Sequence, residues 1–336
     1  MKIMSSTVRP RTASIDTRRP GLLVWAFAVT APLSLALPPR GEDCVIIHGA
    51  RSLHRHGRAM PVVSRKRALA AVAVIGGAVT AALAAYAAWR APIAPPLAPG
   101  TAIVVSPHPD DETYAMGQTI AANVREGRRV IGVLCTDGEA SQYATAWAQG
   151  PAGADVDGDG DRDRWDFGLA RRGEYRDAMG ALGVTELRFL GRAQSHGATG
   201  MPDRGVTAAA VAAALEGVAA PQGAVGYLAP AAYGGGGSLA SLRGDSQQRP
   251  DHDAVHDGVV QVTRSDTDRA WFFGVYVYGS RASRRVAPRF VCGTDADVAA
   301  KRRAMDAYAD LGALSTKEIF AGASADTREY LYETLP

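Results

Sequence analysis

The stretch SPHPDDETYAMG, Ser106 to Gly117, places one imidazole and three consecutive carboxylates directly behind the apolar run TAIVV. Asp and Glu are poor strand formers, and adjacent anions repel one another. A bound cation is the natural reason to put them together. A second cluster, RPDHDAVHDG over residues 249–258, supplies further imidazoles and carboxylates. One imidazole and one carboxylate from the first turn, joined by His252 from the second, make a facial set of nitrogen and oxygen ligands. Such a set suits a catalytic Zn²⁺, which takes three protein ligands and keeps a position for water. The plainer reading of the first cluster alone is an Asp/Pro turn capping a helix, with Asp111 or Thr113 as N-cap. His256 follows His252 by four residues, a spacing that also serves metals, and its plainer reading is an ordinary helix residue.

The elements that must position these residues alternate in type. TAIVVS reads as a first strand, Tyr114 to Glu126 as a helix, RRVIGVLCT as a second strand and Leu169 to Leu182 as a helix. TELRFLG is a third strand, Val206 to Val218 a helix and AVGYLAP a fourth strand; a helix from about His252 and the β-rich WFFGVYVYGS follow. This alternation implies an α/β fold, a mostly parallel sheet covered by helices on both faces. Ligands of such sheets gather beyond the carboxyl ends of the strands. The first cluster leaves the first strand at such an end, and the Gly-rich loop 233–248 leads from the fourth strand into the second cluster. Its glycines suit either a mobile cover over the site or a flexible connection.

DVDGDGDRDRWD, Asp155 to Asp166, follows the pattern of a calcium loop. Asp155, Asp157, Asp159 and Asp163 fall at positions one, three, five and nine, Asp161 at seven, and Asp166 at twelve. Gly160 takes the sixth place, where the chain turns sharply. A solvated acidic loop is the alternative. If calcium binds here, its role is structural, ordering an insert beside the metal site.

PHPDDE, followed in order by CTDGEAS, RRGEYRDAMGALGV and RPDHDAV, resembles the PIG-L/LmbE-like zinc-dependent N-deacetylases of N-acetylglucosaminyl compounds. The similarity covers roughly residues 101–265, with a fainter echo in VAAKRRAMDAY. The resemblance implies a Rossmann-like domain, with His108, Asp111 and His252 as zinc ligands and Asp110 as general base. It also implies a substrate, an N-acetylated sugar or glycoconjugate. Zinc lowers the pKa of bound water toward ~7, and Asp110 would complete the deprotonation. Two departures stand out. Arg249 occupies the place of a His that helps to stabilise the oxyanion in the family, and a guanidinium can hold an oxyanion in its stead. Tyr308 stands where the family often carries another His.

Residues 1–100 differ from the rest. Ala68 to Trp89 carries no charge and, at about 1.5 Å per residue, is long enough to cross a ~30 Å hydrocarbon core. SRKR precedes it and the Pro-rich RAPIAPPLAPG follows. The expectation is an N-terminal hydrophobic helix acting as signal peptide or membrane anchor, with the catalytic part outside the cytoplasmic membrane. Residues 1–67 are expected to be a poorly ordered basic extension containing a second apolar run over 21–37, with Met60 as an alternative start. The expected organisation is completed by a linker over 90–100 and a deacetylase domain over 101–336. The net charge of +3 points to no nucleic-acid partner. The cysteines in the globular part, Cys135 and Cys292, are too few for a disulfide framework. Two rival readings are a non-catalytic, calcium-ordered carbohydrate-binding surface protein and a related metal-dependent ester or amide hydrolase.

Overall fold

The computed structural model describes residues 65–89, 91–220, 222–232, 250–263, 266–275, 289–308 and 328–335. The apolar run 21–37, the Gly-rich loop 233–248 and Arg249 lie outside the described residues. The chain divides into two units, Met1–Ile75 and Gly76–Pro336. A helix, α1, covers Arg65–Trp89. Among the described residues no helix is long and apolar enough to cross a membrane, so the spanning reading of 68–89 gains no support from the structure.

Within the second unit the strands β1 (Thr101–Ser106), β2 (Val130–Leu134), β3 (Glu186–Phe189), β4 (Val225–Pro230) and β5 (Arg269–Phe273) are all parallel. Two further strands, β6 (Arg289–Val291) and β7 (Glu329–Leu335), extend the sheet antiparallel, giving the order β3-β2-β1-β4-β5-β7-β6. The mostly parallel sheet agrees with the sequence pattern. The antiparallel pair was not foreseen, because β6 is only three residues long and β7, EYLYETL, carries charge.

The helices in this unit are α2 (Asp111–Arg125), α3 (Ala144–Gln149), α4 (Arg164–Ala181), α5 (Ala208–Ala219), α6 (Pro250–Val262) and α7 (Asp295–Ala307). β1 is buried throughout, and its side chains alternate between two cores. Ala102 and Val104 pack with Ala115 and Ile120 of α2, Met179 of α4 and Ala304 of α7. Ile103 and Val105 pack with Val211 and Leu215 of α5 and Val255 and Val259 of α6. Helices therefore cover both faces. A Cβ added at Gly258 would lie 2.7 Å from Val211, so this glycine lets α6 approach α5 closely.

Two helix starts lie earlier than the hydrophobic pattern suggests. α2 begins at Asp111, with Asp111 and Glu112 in its first turn, where acidic side chains complement the helix dipole. α4 begins at Arg164 behind a capping box formed by Asp163 and Asp166. α2 is also interrupted: Met116 has φ −143° and ψ 18°, which separates a short first segment from the rest.

The Pro-rich spacer is docked rather than free. Ile93 bridges to Val291 of β6; its amide donates to Phe290 O (3.0 Å), and Cys292 N donates to its carbonyl (3.0 Å). Ala98 is buried, with its amide donating to Asn123 Oδ1 at 2.8 Å. Cys135 lies in the core and Cys292 is partly buried.

Candidate metal centre

From β1 the chain runs outward through β2 to β3, whereas β4 and β5 lie on the other side of β1. The gap beyond the carboxyl ends of β1 and β4 is thus the topological switch point. His108 stands two residues past the end of β1, Asp111 opens α2, and His252 is in the first turn of α6. Their ligand atoms lie within 4.8 Å of one another. His108 Nδ1 is 3.2 Å and His252 Nε2 is 3.3 Å from the same atom, Asp111 Oδ2. Asp111 and His252 are fully buried, and His108 is partly open.

The other ring nitrogen of His108 is also engaged. Its Nε2 is 3.2 Å from Asp251 Oδ2 and 3.2 Å from Asp203 Oδ1. Two carboxylates on Nε2 favour the tautomer that carries its proton there, leaving the Nδ1 lone pair toward Asp111 and His252. Burial opposes the charged form of His108, but its hydrogen bonds to Asp111, Asp203 and Asp251 hold its pKa well above the usual value. Burial alone would raise the Asp203 carboxyl, but its bond and charge interaction with His108 draw it down to about 2. The turn before α5 fixes this arrangement, since Arg204 N and Val206 N donate to Asp251 at 2.7 and 3.2 Å.

Asp110 is set apart from the three. Its φ of 107° lies in a region that side chains rarely adopt, a strain typical of functional positions. Its Oδ2 accepts a bond from Arg171 Nη2 of α4 at 2.8 Å, and Arg171 also donates to Pro109 O. Its Oδ1 is buried and has no hydrogen-bond partner among the described residues. Burial pushes the Asp110 carboxyl up to about 6, against the pull of Arg171 and with a further push from Asp111.

Glu112, the last acid of the motif, turns away from the cluster. Its Oε2 accepts from Ser106 Oγ and Asp110 N, both at 3.2 Å, and its Oε1 accepts from Tyr308 Oη at 2.6 Å and Thr113 Oγ1 at 2.7 Å. Burial pushes it up to about 7, opposed by the Tyr308 and Thr113 hydroxyls. Arg172 forms a two-pronged pair with Asp137 at 2.8 and 2.7 Å, tying α4 to the loop after β2. The adjacent arginines of RRGEY therefore serve two different carboxylates.

The structure thus brings His108, Asp111 and His252 together, as the family resemblance implies, with Asp110 next to Asp111 in the chain. It excludes His256 from the set: its ring bonds Asp257 (2.9 Å) and Glu333 (3.0 Å) and lies tilted against Phe272. Sequence reasoning missed Arg171, Asp203 and the role of Asp251. Only the quoted RRGEY and PDHD strings offered any signal for Arg171 and Asp251, and nothing pointed to Asp203.

The calcium expectation fares differently. Gly160 does take a positive φ, 97°, at the expected turn. The six carboxylates nevertheless form no single shell. Asp155, Asp157 and Asp166 make one group and Asp161, Asp163 and Asp166 another, while Asp157 and Asp159 group with His196. The physical reason is local. Asp155 accepts from Gly158 N and Gly160 N, Asp157 from Asp159 N, and Asp159 from Asp161 N. Asp166 accepts from Val156, Asp157 and Asp163 amides as part of the α4 capping box. Backbone amides account for these bonds, and the geometry gives calcium no support.

The donor set itself fits zinc: two imidazoles and one carboxylate converge, with a further carboxylate close by and an excess of buried negative charge for a dication to offset.

A profile described as PIG-L: GlcNAc-PI de-N-acetylase matches residues 103–263. The 1D-myo-inositol 2-acetamido-2-deoxy-alpha-D-glucopyranoside deacetylase of Geodermatophilus obscurus is 38% identical over 103 residues, 30% of this chain and 32% of the relative. The deacetylase of the same description from Nocardioides sp. is 39% identical over 99 residues, 30% of each chain. The chain thus spans about a third of the length of the curated relatives it matches. Among solved structures, the N,N'-diacetylchitobiose deacetylase from Pyrococcus horikoshii is similar over 70% of this chain and 82% of its own. That likeness has 15% identity and a TM-score of 0.42, and it speaks to neither substrate nor mechanism.

Proposed function

We infer that the protein, whose residues 103–263 match the PIG-L: GlcNAc-PI de-N-acetylase profile, is a zinc-dependent hydrolase that removes the acetyl group from an N-acetylglucosamine-containing conjugate. The observation that carries this reading is the pairing of a three-ligand cluster, His108, Asp111 and His252, with a separate strained carboxylate, Asp110. A carbohydrate-binding scaffold would have no use for that fourth group.

In this reading His108 Nδ1, Asp111 Oδ2 and His252 Nε2 hold the ion. When bound, zinc supplies Lewis acidity, polarising an amide carbonyl and lowering the pKa of water. The chain's own residues do the rest. Arg171 fixes Asp110 through Oδ2, which leaves Oδ1 to take a proton from the attacking water. The same oxygen returns that proton to the departing nitrogen, so that water and amide become acetate and a free amine. Asp203 and Asp251 keep the His108 ring in register. Arg249, directly before Pro250 in the sequence, is assigned the stabilisation of the oxyanion.

Acetate release measured against a panel of N-acetylglucosaminyl conjugates tests the reading. Asp110→Ala is expected to keep its zinc and lose roughly 10²–10⁴-fold in rate, whereas His252→Ala loses both metal and activity. Full activity in the Asp110 variant would refute the assignment.

A further inference from the structure

The interruption of α2 at Met116 is filled by an ion pair from elsewhere in the chain. In an unbroken helix the amide of Gln118 would donate to the carbonyl of Tyr114. Here Gln118 N donates instead to Glu329 Oε1 of β7 at 2.6 Å, and Tyr114 O accepts from Lys301 Nζ of α7 at 2.8 Å. Lys301 Nζ and Glu329 Oε1 are themselves 3.2 Å apart. The pair therefore stands where one helical hydrogen bond would have been. Glu329 Oε2 also takes Thr119 N (3.1 Å) and Thr119 Oγ1 (2.6 Å), capping the second segment of the helix. Lys301 and Glu329 have 1% and 0% side-chain exposure. Their charges match the helix ends they meet, the ammonium at a carboxyl end and the carboxylate at an amino end.

We propose that Lys301 and Glu329 are positioning residues for the metal centre: their ion pair fixes the direction of the short segment that carries Asp111. A segment of little more than one turn, Asp111 to Ala115, cannot hold its own course, because isolated turns are unstable in water. It must be tied at both ends, and α7 supplies both ties. Tyr308, just past the end of α7, grips Glu112 at the start, and Lys301 grips Tyr114 O at the break. Gly117 makes room for the lysine stem, since a Cβ there would lie 3.0 Å from Lys301 Cγ. A straight α2 would keep the Gln118–Tyr114 bond and carry Asp111 and the preceding Asp110 along a different line from His252.

The inference rests on the reading of His108, Asp111 and His252 as a zinc site, and the test separates the two. Zinc affinity is measured by chelator competition, well below each variant's melting temperature, for the parent, Lys301→Met and the double Lys301→Met/Glu329→Gln. Losing one partner strands a buried charge, so the single variant could fail to fold; the double removes both charges together and carries the same measurement. The expected result is cooperative melting with zinc binding about 10–100-fold weaker, the range for lost outer-layer contacts at metal sites. Parent-like affinity in a folded variant would overturn the inference and leave the zinc site standing. A double variant that cannot fold would also overturn it, because the pair would then serve the core rather than the site. If the parent itself binds no zinc, the metal reading fails. The splice is then read from hydrogen exchange, with Glu329→Gln expected to expose the Gln118 and Thr119 amides at least tenfold. Unchanged protection there would reject it.

Discussion

Arg171 Nη2 of α4 lies 2.8 Å from Asp110 Oδ2, and both side chains are almost entirely withdrawn from solvent. The guanidinium thereby fixes which oxygen of the carboxylate is occupied. Arg171→Gln should strand the buried Asp110 charge, lowering stability by about 3–5 kcal/mol and cutting acetate release. Adding Asp110→Asn to that variant should recover much of the stability and none of the activity. Thermal melts and acetate assays on the two variants decide this, and a parent-like melt for Arg171→Gln would contradict the pairing.

Asp251 is expected to act on zinc through His108 rather than by direct ligation. Its Oδ2 faces His108 Nε2 at 3.2 Å while accepting Arg204 N at 2.7 Å. Asp251→Asn should weaken zinc binding by about 10–100-fold. Chelator competition measures it. Unchanged affinity would mean that Asp203 alone orients the ring.

Tyr308 donates a 2.6 Å hydrogen bond to the buried Glu112. Tyr308→Phe removes the donor and leaves an acceptor short of a partner in the core, at a cost of about 1–3 kcal/mol. A depressed melting temperature is the expected outcome, and a variant as stable as the parent would show that Thr113 and Ser106 suffice.

Asp297 gives the fold an acid-sensitive contact. Burial alone would raise its carboxyl, but bonds from Arg125 and Thr294 hold it below the usual carboxylate value. A depressed folded-state pKa means stabilisation that is present above the unfolded value near pH 3.9 and lost as the pH falls through the folded one. Asp297→Ala removes half of the α7 capping box and should cost about 1 kcal/mol at pH 7. In melts taken across an acid series, the gap between variant and parent should close at the low end. A constant gap would exclude the titration as its source.

What could be read from the sequence was local. TAIVV and PHPDDE are contiguous, so the burial of β1 and the acids at its end are visible together. PDHD declares itself by the same density of ligand types. The partners that discipline these groups are not local. Arg171 reaches Asp110 only because α4 crosses the loop after β1. Lys301 and Glu329 meet across a break in α2 that no periodicity marks, since Tyr114, Ala115 and Met116 continue the apolar pattern through it. Asp203 enters by a turn in which Arg204 takes a φ of 66°, a conformation that no residue type there advertises. The acidic insert shows the converse hazard. Its spacing matches a calcium loop, yet those oxygens bond the loop's own amides, which a residue pattern does not reveal.

The docking of Ile93 on β6 moves the practical boundary of the folded unit upstream of its first long strand. A protease cutting before Ala91 would remove the residues upstream and leave the sheet's rim sealed. A cut between Ile93 and Thr101 would instead strip the rim, freeing the Phe290 carbonyl and Cys292 amide and uncovering Asn123. A raw edge of that kind invites strand-to-strand association between molecules. The tract that looks like a tether is therefore also the domain's hem.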